Sequence, residues 1–177
     1  MSERIKITRE MLLAASDYMP NAEKERWVTD NAAKCFDKLA ITADGETMPP
    51  MYKVNEGLKR RYLMAAFAKE YMRQGYGGDE RDPALMAEEE YDRWAGSHVF
   101  EQVNRMKHDT ELRDKCFDLL ADYKDLEKRF SSELNSLLTV QNDFVLRQSE
   151  YTAAQMKDLP EVIAQLKSLQ EARGNDD

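Results

Sequence analysis

Histidine, cysteine, glycine and proline are all scarce in this chain, and it has no long apolar run. Among 177 residues there are two His, two Cys, seven Gly and five Pro. The longest wholly apolar stretch, Tyr62 to Ala68, is seven residues, against the roughly 20 needed to span a bilayer. The opening residues MSERIKITRE lack the apolar core and small-residue cleavage site of a signal peptide, so an intracellular protein with no membrane partner is expected. Cys35 and Cys116 fall on the apolar faces of predicted helices and read as buried free thiols, because nothing signals the oxidising compartment that a disulfide needs.

The same scarcity argues against catalysis. His98 and His108 are ten residues apart, not at the i, i+4 spacing that puts two ligands on one helix face, and Ala95 and Arg105 stand where a Glu-x-x-His pair would have its Glu. Gly75, Gly77 and Gly78 form a glycine-rich stretch without the following Lys-Ser or Lys-Thr of a phosphate cradle, so it reads as a linker. Ser97 beside His98 is no nucleophile pair, since adjacent helical residues point apart. Carboxylates are plentiful, but they sit in charged, solvated windows and not in the desolvating cleft that a catalytic acid requires. No enzyme, cofactor or metal site is expected.

What the chain does have is a heptad seam. Its members are Leu112, Cys116, Leu119, Tyr123, Leu126 and Phe130, then Leu134, Leu137, Gln141, Phe144, Gln148 and Tyr151. The step from Phe130 to Leu134 is four residues where three was due, a stutter that locally unwinds a left-handed supercoil. No Pro or Gly interrupts residues 109 to 158, so a helix of roughly 60 Å along the seam is sterically allowed. The seam needs a partner, either the fourth and last helices of the same chain or a second copy through residues 112–151.

The expected fold is all-α: a compact N-terminal helical unit at 1–78, an acidic connecting helix at 79–108, and at 109–177 a long coiled-coil-like helix with a short C-terminal helix. Thr8 can cap a first helix reaching Met19. Asn21 can cap a second running to Ala40, with Trp27, Val28, Ala32, Cys35, Phe36 and Leu39 on its apolar face. Breakers at 43–50 predict a loop. A third helix, capped by Asn55 and reaching Gln74, is apolar all round at its centre and reads as the core helix. Residues 75–83 are the linker, Asp82 and Pro83 begin the fourth helix with a break near Gly96 and Ser97, and Pro160 starts the last.

Charge divides unevenly. Residues 1–78 carry 13 Lys or Arg against 11 Asp or Glu, while residues 79–177 carry 13 against 23. Two candidate binding faces follow. Glu88, Glu89, Glu90 and Asp92 form an acidic face that can imitate a row of phosphates and fill a cationic groove in a partner protein. Lys59, Arg60 and Arg61 form a basic face for a nucleic-acid backbone, the alternative reading being a dimeric DNA-binding regulator or a phage packaging or assembly adaptor. The loop between the second and third helices is too long for a helix-turn-helix, and overall acidity opposes tight non-specific DNA binding.

Two stretches, KITREMLLAASDYMPNAEKERWV at 6–28 and PPMYKVNEGLKRRYLMAAFAKEYM at 49–72, resemble small helical proteins carried by prophages and mobile elements of low-GC Gram-positive bacteria. Within that neighbourhood the chain is similar to an anti-CRISPR group that inhibits Cas9. The resemblance implies a cytoplasmic protein of the bacterial host cell that binds Cas9, with or without guide RNA, and blocks DNA engagement or cleavage without chemistry of its own. The DNA channels of such effectors are lined with Lys and Arg, and acids along the seam such as Asp118, Asp122 and Asp125 join Glu88 to Asp92 as candidates to occupy them.

Overall fold

The computed structural model describes the backbone of residues 4–43 and 46–174 and the side chains of residues 4–39, 51–154, 156, 157 and 160. The protein is mostly helical, with one small sheet, and it forms two compact units. The first comprises Met1–Asp37 and Val54–Leu137, the second Lys38–Lys53 and Leu138–Asp177. Residues 79–108, expected as a connecting helix, lie in the first unit.

In the first unit, helix α1 (Arg9–Ala14) starts where Thr8 Oγ1 accepts the Met11 amide, as its sequence predicts. Helix α2 (Asn21–Ala32) has Pro20 and not Asn21 at its cap, and the Asn21 side chain instead accepts from Arg129. This helix also stops eight residues short of the expected Ala40. Strands β1 (Phe36–Ala43) and β2 (Glu46–Val54) pair there in a two-stranded antiparallel sheet, so the fold is not strictly all-α. Phe36, Ile41 and Thr42 favour a strand, and a two-stranded sheet tolerates Pro49 and Pro50 because both of its strands are edges.

Helix α3 (Glu56–Ala66) is capped by Asn55 Oδ1, which accepts the Leu58 amide at 3.0 Å. Every residue from Tyr62 to Ala68 is buried, as expected of a central helix. The helix widens at its end into a π turn, Phe67–Tyr71, in which the Met72 amide reaches back to the Phe67 carbonyl. Phe67, Ala68, Tyr71 and Met72 all face inward along this turn.

Residues 75–83, expected as a linker, are held in place together with the residues up to Ala87. The Asp79 amide donates to the Leu85 carbonyl, the Ala87 amide to Gly77, and Asp82 accepts from both Tyr62 and Lys34. Gly78 is needed for this closure, because a Cβ there would meet the Pro83 carbonyl oxygen at 2.9 Å. Asp82 caps only a single turn, through the Ala84 amide, and helix α4 begins later, at Glu88–Gly96. Helix α5 (Val99–Arg105) follows after the expected break, where His98 takes a left-handed φ of 51°.

Helix α6 runs from Arg113 to Gly174, straight through Pro160, where a boundary with a separate last helix was expected. In the first unit the heptad residues Leu112, Cys116, Leu119, Tyr123, Leu126, Phe130 and Leu134 are all buried against the chain's own helices, with Trp27 4.9 Å from Phe130 between ring centroids. In the second unit the hairpin meets the helix through an amide clamp: the Tyr52 amide donates to Asn142 Oδ1 at 2.9 Å, and Asn142 Nδ2 donates to the Tyr52 carbonyl at 3.2 Å. On either side of the clamp the helix turns large apolar side chains outward, with Val140 and Phe144 each 64% exposed. Among the described residues no helix is long and apolar enough to cross a membrane.

Candidate functional site

The first turn of α4 carries the predicted acidic face, and carboxylates are favoured there by the helix dipole. Glu88 and Asp92 lie one turn apart with Glu89 between them; all three are exposed, and none has an ion-pair partner among the described residues. Glu90 departs from the expectation. Its carboxylate turns inward, accepting the Trp94 indole N–H at 2.9 Å and lying 3.4 Å from Arg93. Three of the four acids thus form a free anionic edge, and the fourth anchors the buried Trp94.

The basic trio does not stay together. Arg60 is exposed, and Lys59 sits 3.5 Å from Glu56. Arg61 is spent inside the unit, donating from Nε to the Met86 carbonyl at 2.6 Å and from its guanidinium to Asp79 at 2.8 Å. Neighbouring positions on a helix point about 100° apart, so three consecutive cations make no common face.

A charged cluster that the sequence did not announce lies between α2 and α6. Lys24 is only 2% exposed, and its ammonium donates to Asp122 at 2.6 Å and Asp125 at 2.9 Å. Asp122 also accepts the Tyr71 hydroxyl at 2.8 Å and the Met19 amide at 3.0 Å. Asp125 further accepts from Arg129 Nε at 2.9 Å. Of the seam acids expected to be available to a partner, Asp122 and Asp125 are therefore committed to Lys24, while Asp118 is exposed.

Burial pushes the Cys35 thiol up to about 12, and burial also raises Cys116, so both stay protonated. Burial together with the Asp122 hydrogen bond raises Tyr71 in the same sense. Among the described residues no group of His, Cys, Asp and Glu is arranged to hold a metal ion.

Hydrogen bonds from Lys24 and Arg129 hold Asp125 below its ordinary 3.8, and hydrogen bonds from the Arg81 amide and the Arg61 guanidinium do the same for Asp79. A carboxyl whose folded pKa is depressed stabilises the fold above the unfolded value and loses that contribution as pH falls through the folded one. Thermal midpoints measured from neutral pH downward are therefore expected to hold level to about pH 4 and to fall below it. A midpoint that stayed level to pH 2 would show that these carboxylates contribute nothing.

Comparison with known proteins finds no matching protein family, no matching curated protein and no matching solved structure.

Proposed function

We propose that the protein is a non-enzymatic binding protein of a phage or mobile element that acts by occupying a partner protein, with Cas9 as the partner its resemblance implies. The observation that carries this reading is the anionic edge of Glu88, Glu89 and Asp92, three unpaired carboxylates fixed on one helical turn. An edge of this kind suits a channel that Lys and Arg line for a nucleic-acid backbone. The exposed Val140 and Phe144 of α6 support a protein partner as well, since apolar side chains of that size gain most when covered.

The test is a DNA-cleavage assay in which the protein is titrated into Cas9 and guide RNA before or after the DNA. Near-stoichiometric inhibition that weakens with salt is expected. Reversing Glu88, Glu89 and Asp92 to Lys should weaken it about tenfold or more, which corresponds to about 1.4 kcal/mol. Glu90 is left intact in that variant because its loss would unseat Trp94. Inhibition untouched by the reversals would remove the anionic edge from the mechanism, and no inhibition of any Cas9 orthologue would remove the partner.

A further inference from the structure

One cationic surface of this acidic chain is assembled from residues that no sequence window holds together. Residues 4–8 lie beside α5 and are tied to it by side chains. The Ile5 amide donates to Ser97 Oγ at 2.8 Å, the Ile7 amide to Gln102 Oε1 at 2.9 Å, and Gln102 Nε2 donates back to the Ile5 carbonyl at 2.9 Å. Along this tied segment exposure alternates, with Ile7 buried while Arg4 and Lys6 face solvent. Arg4, Lys6, His98 and Arg105 line a cleft of about 520 Å³ around a single carboxylate, Glu101, which lies 3.5 Å from His98 Nδ1 and 3.8 Å from Arg105.

Glu101 also lies on the rim of a second groove, of about 680 Å³, between α5 and α6. This groove is floored by Phe100 and Tyr123 and carries Phe117, whose ring is 54% exposed. Lys107 Nζ lies over one face of the Phe117 ring, 4.1 Å from its centroid, so a base stacks on the other face or displaces the ammonium towards its own phosphate. The two grooves together are lined by five Lys or Arg against two Glu, in a chain whose net charge is −8. Between the tied segment and α5, His98 holds its left-handed backbone, a conformation that strains a non-glycine residue and recurs at binding sites.

We propose that this face binds single-stranded nucleic acid, with backbone phosphates along Arg4, Lys6 and Arg105 and a base stacked on Phe117. Cations that track a backbone, set beside an exposed aromatic ring, are the pattern by which unpaired bases are held without sequence preference. Duplex DNA offers the phosphates but keeps its bases stacked on one another, so it uses only half of the surface. The surface is separate from the α4 edge, and the proposal stands or falls independently of the Cas9 reading.

The test is fluorescence anisotropy with a dye-labelled oligothymidylate of about 20 nucleotides. With about three phosphates neutralised, affinity should fall roughly 15–20-fold between about 50 and 200 mM salt. Lys6→Glu with Arg105→Glu should abolish most binding, and Phe117→Ala should weaken it about tenfold. Lys59→Glu with Arg60→Glu should leave it unchanged. Glu101→Gln, which removes the one carboxylate shared by both grooves, should tighten binding several-fold, a gain that no loss of folding can imitate. Absence of binding, a duplex bound as tightly as the single strand, or displacement by polyglutamate at equal charge concentration would each overturn the assignment, the last in favour of an acidic peptide.

Discussion

Replacing Asp122 with Ala is expected to destabilise the fold by about 3–5 kcal/mol, the cost of leaving a buried charge without its partner. Lys24, 2% exposed, would keep only Asp125, which is 41% exposed and shared with Arg129. The Tyr71 hydroxyl and the Met19 amide would lose their acceptor in the same step. The converse change, Lys24→Met, should cost far less. Methionine matches the aliphatic stem, and Asp122 retains two donors and some contact with water, its side chain being 13% exposed. Urea unfolding measures both changes, with the midpoint shifting and the slope constant. If Lys24→Met proves the costlier of the two, the cluster is held by the charge of the lysine, since Met keeps its stem and loses only the ammonium.

The pH dependence of that deficit is fixed by its sign. Burial alone would lower the Lys24 pKa, but the hydrogen bonds and charges of Asp122 and Asp125 outweigh burial and leave it raised above 10.5. A cationic group with a raised folded pKa contributes fully below its unfolded value and loses the contribution only as pH climbs through the folded one. The difference between wild type and Asp122→Ala should therefore be flat from about pH 6 to pH 9. A deficit that shrank over that interval would mean that Lys24 releases its proton inside the fold.

Signals confined to one element were legible in the sequence, and signals that join distant elements were not. Thr8 and Asn55 cap their helices through their own local amides, and the seam from Leu112 to Leu134 announces its burial by spacing alone. The stretch Phe36–Ala43 misled because Cys35, Phe36 and Leu39 also fit a helical step, and a run that short satisfies either period. Residues 75–83 read as a linker because what fixes them, Arg61 and Lys34, comes from α3 and from just past the end of α2. Lys24 looked like any solvated lysine, since its partners lie about a hundred residues away. The same holds for Arg4, Lys6 and Arg105, which no window of sequence contains together. The exposure of Glu88, Glu89 and Asp92 is legible because a helix N-terminus displays its acids locally, whereas Glu90 turns inward because Trp94 one turn on claims it. That indole N–H, four residues from a carboxylate, was a signal present in the sequence.

Phe67→Ala is expected to cost about 3–5 kcal/mol, because its fully buried ring is where four helices meet. Its centroid lies 4.5 Å from Phe100 of α5, 5.2 Å from Tyr123 of α6, 6.4 Å from Trp94 of α4 and 6.5 Å from Tyr71 of its own π turn. Truncation removes one side of four aromatic pairs at once. The surrounding helices resist closing the gap, because α5 is tied to residues 5 and 7 through Gln102 and α6 to α2 through Lys24. Phe67→Leu keeps most of the volume and should cost less than half as much. An apolar cavity of that size stays dry and takes up small aromatic solutes, so benzene should raise the melting temperature of Phe67→Ala and leave the wild type unmoved. Phe100 and Tyr123 also floor the groove beside Phe117, which makes oligothymidylate binding a second readout: Phe67→Ala should weaken it and benzene should restore part of it. A variant that melts low yet ignores benzene would show that the helices collapse into the space, and that Phe67 sets their spacing and does not merely fill it.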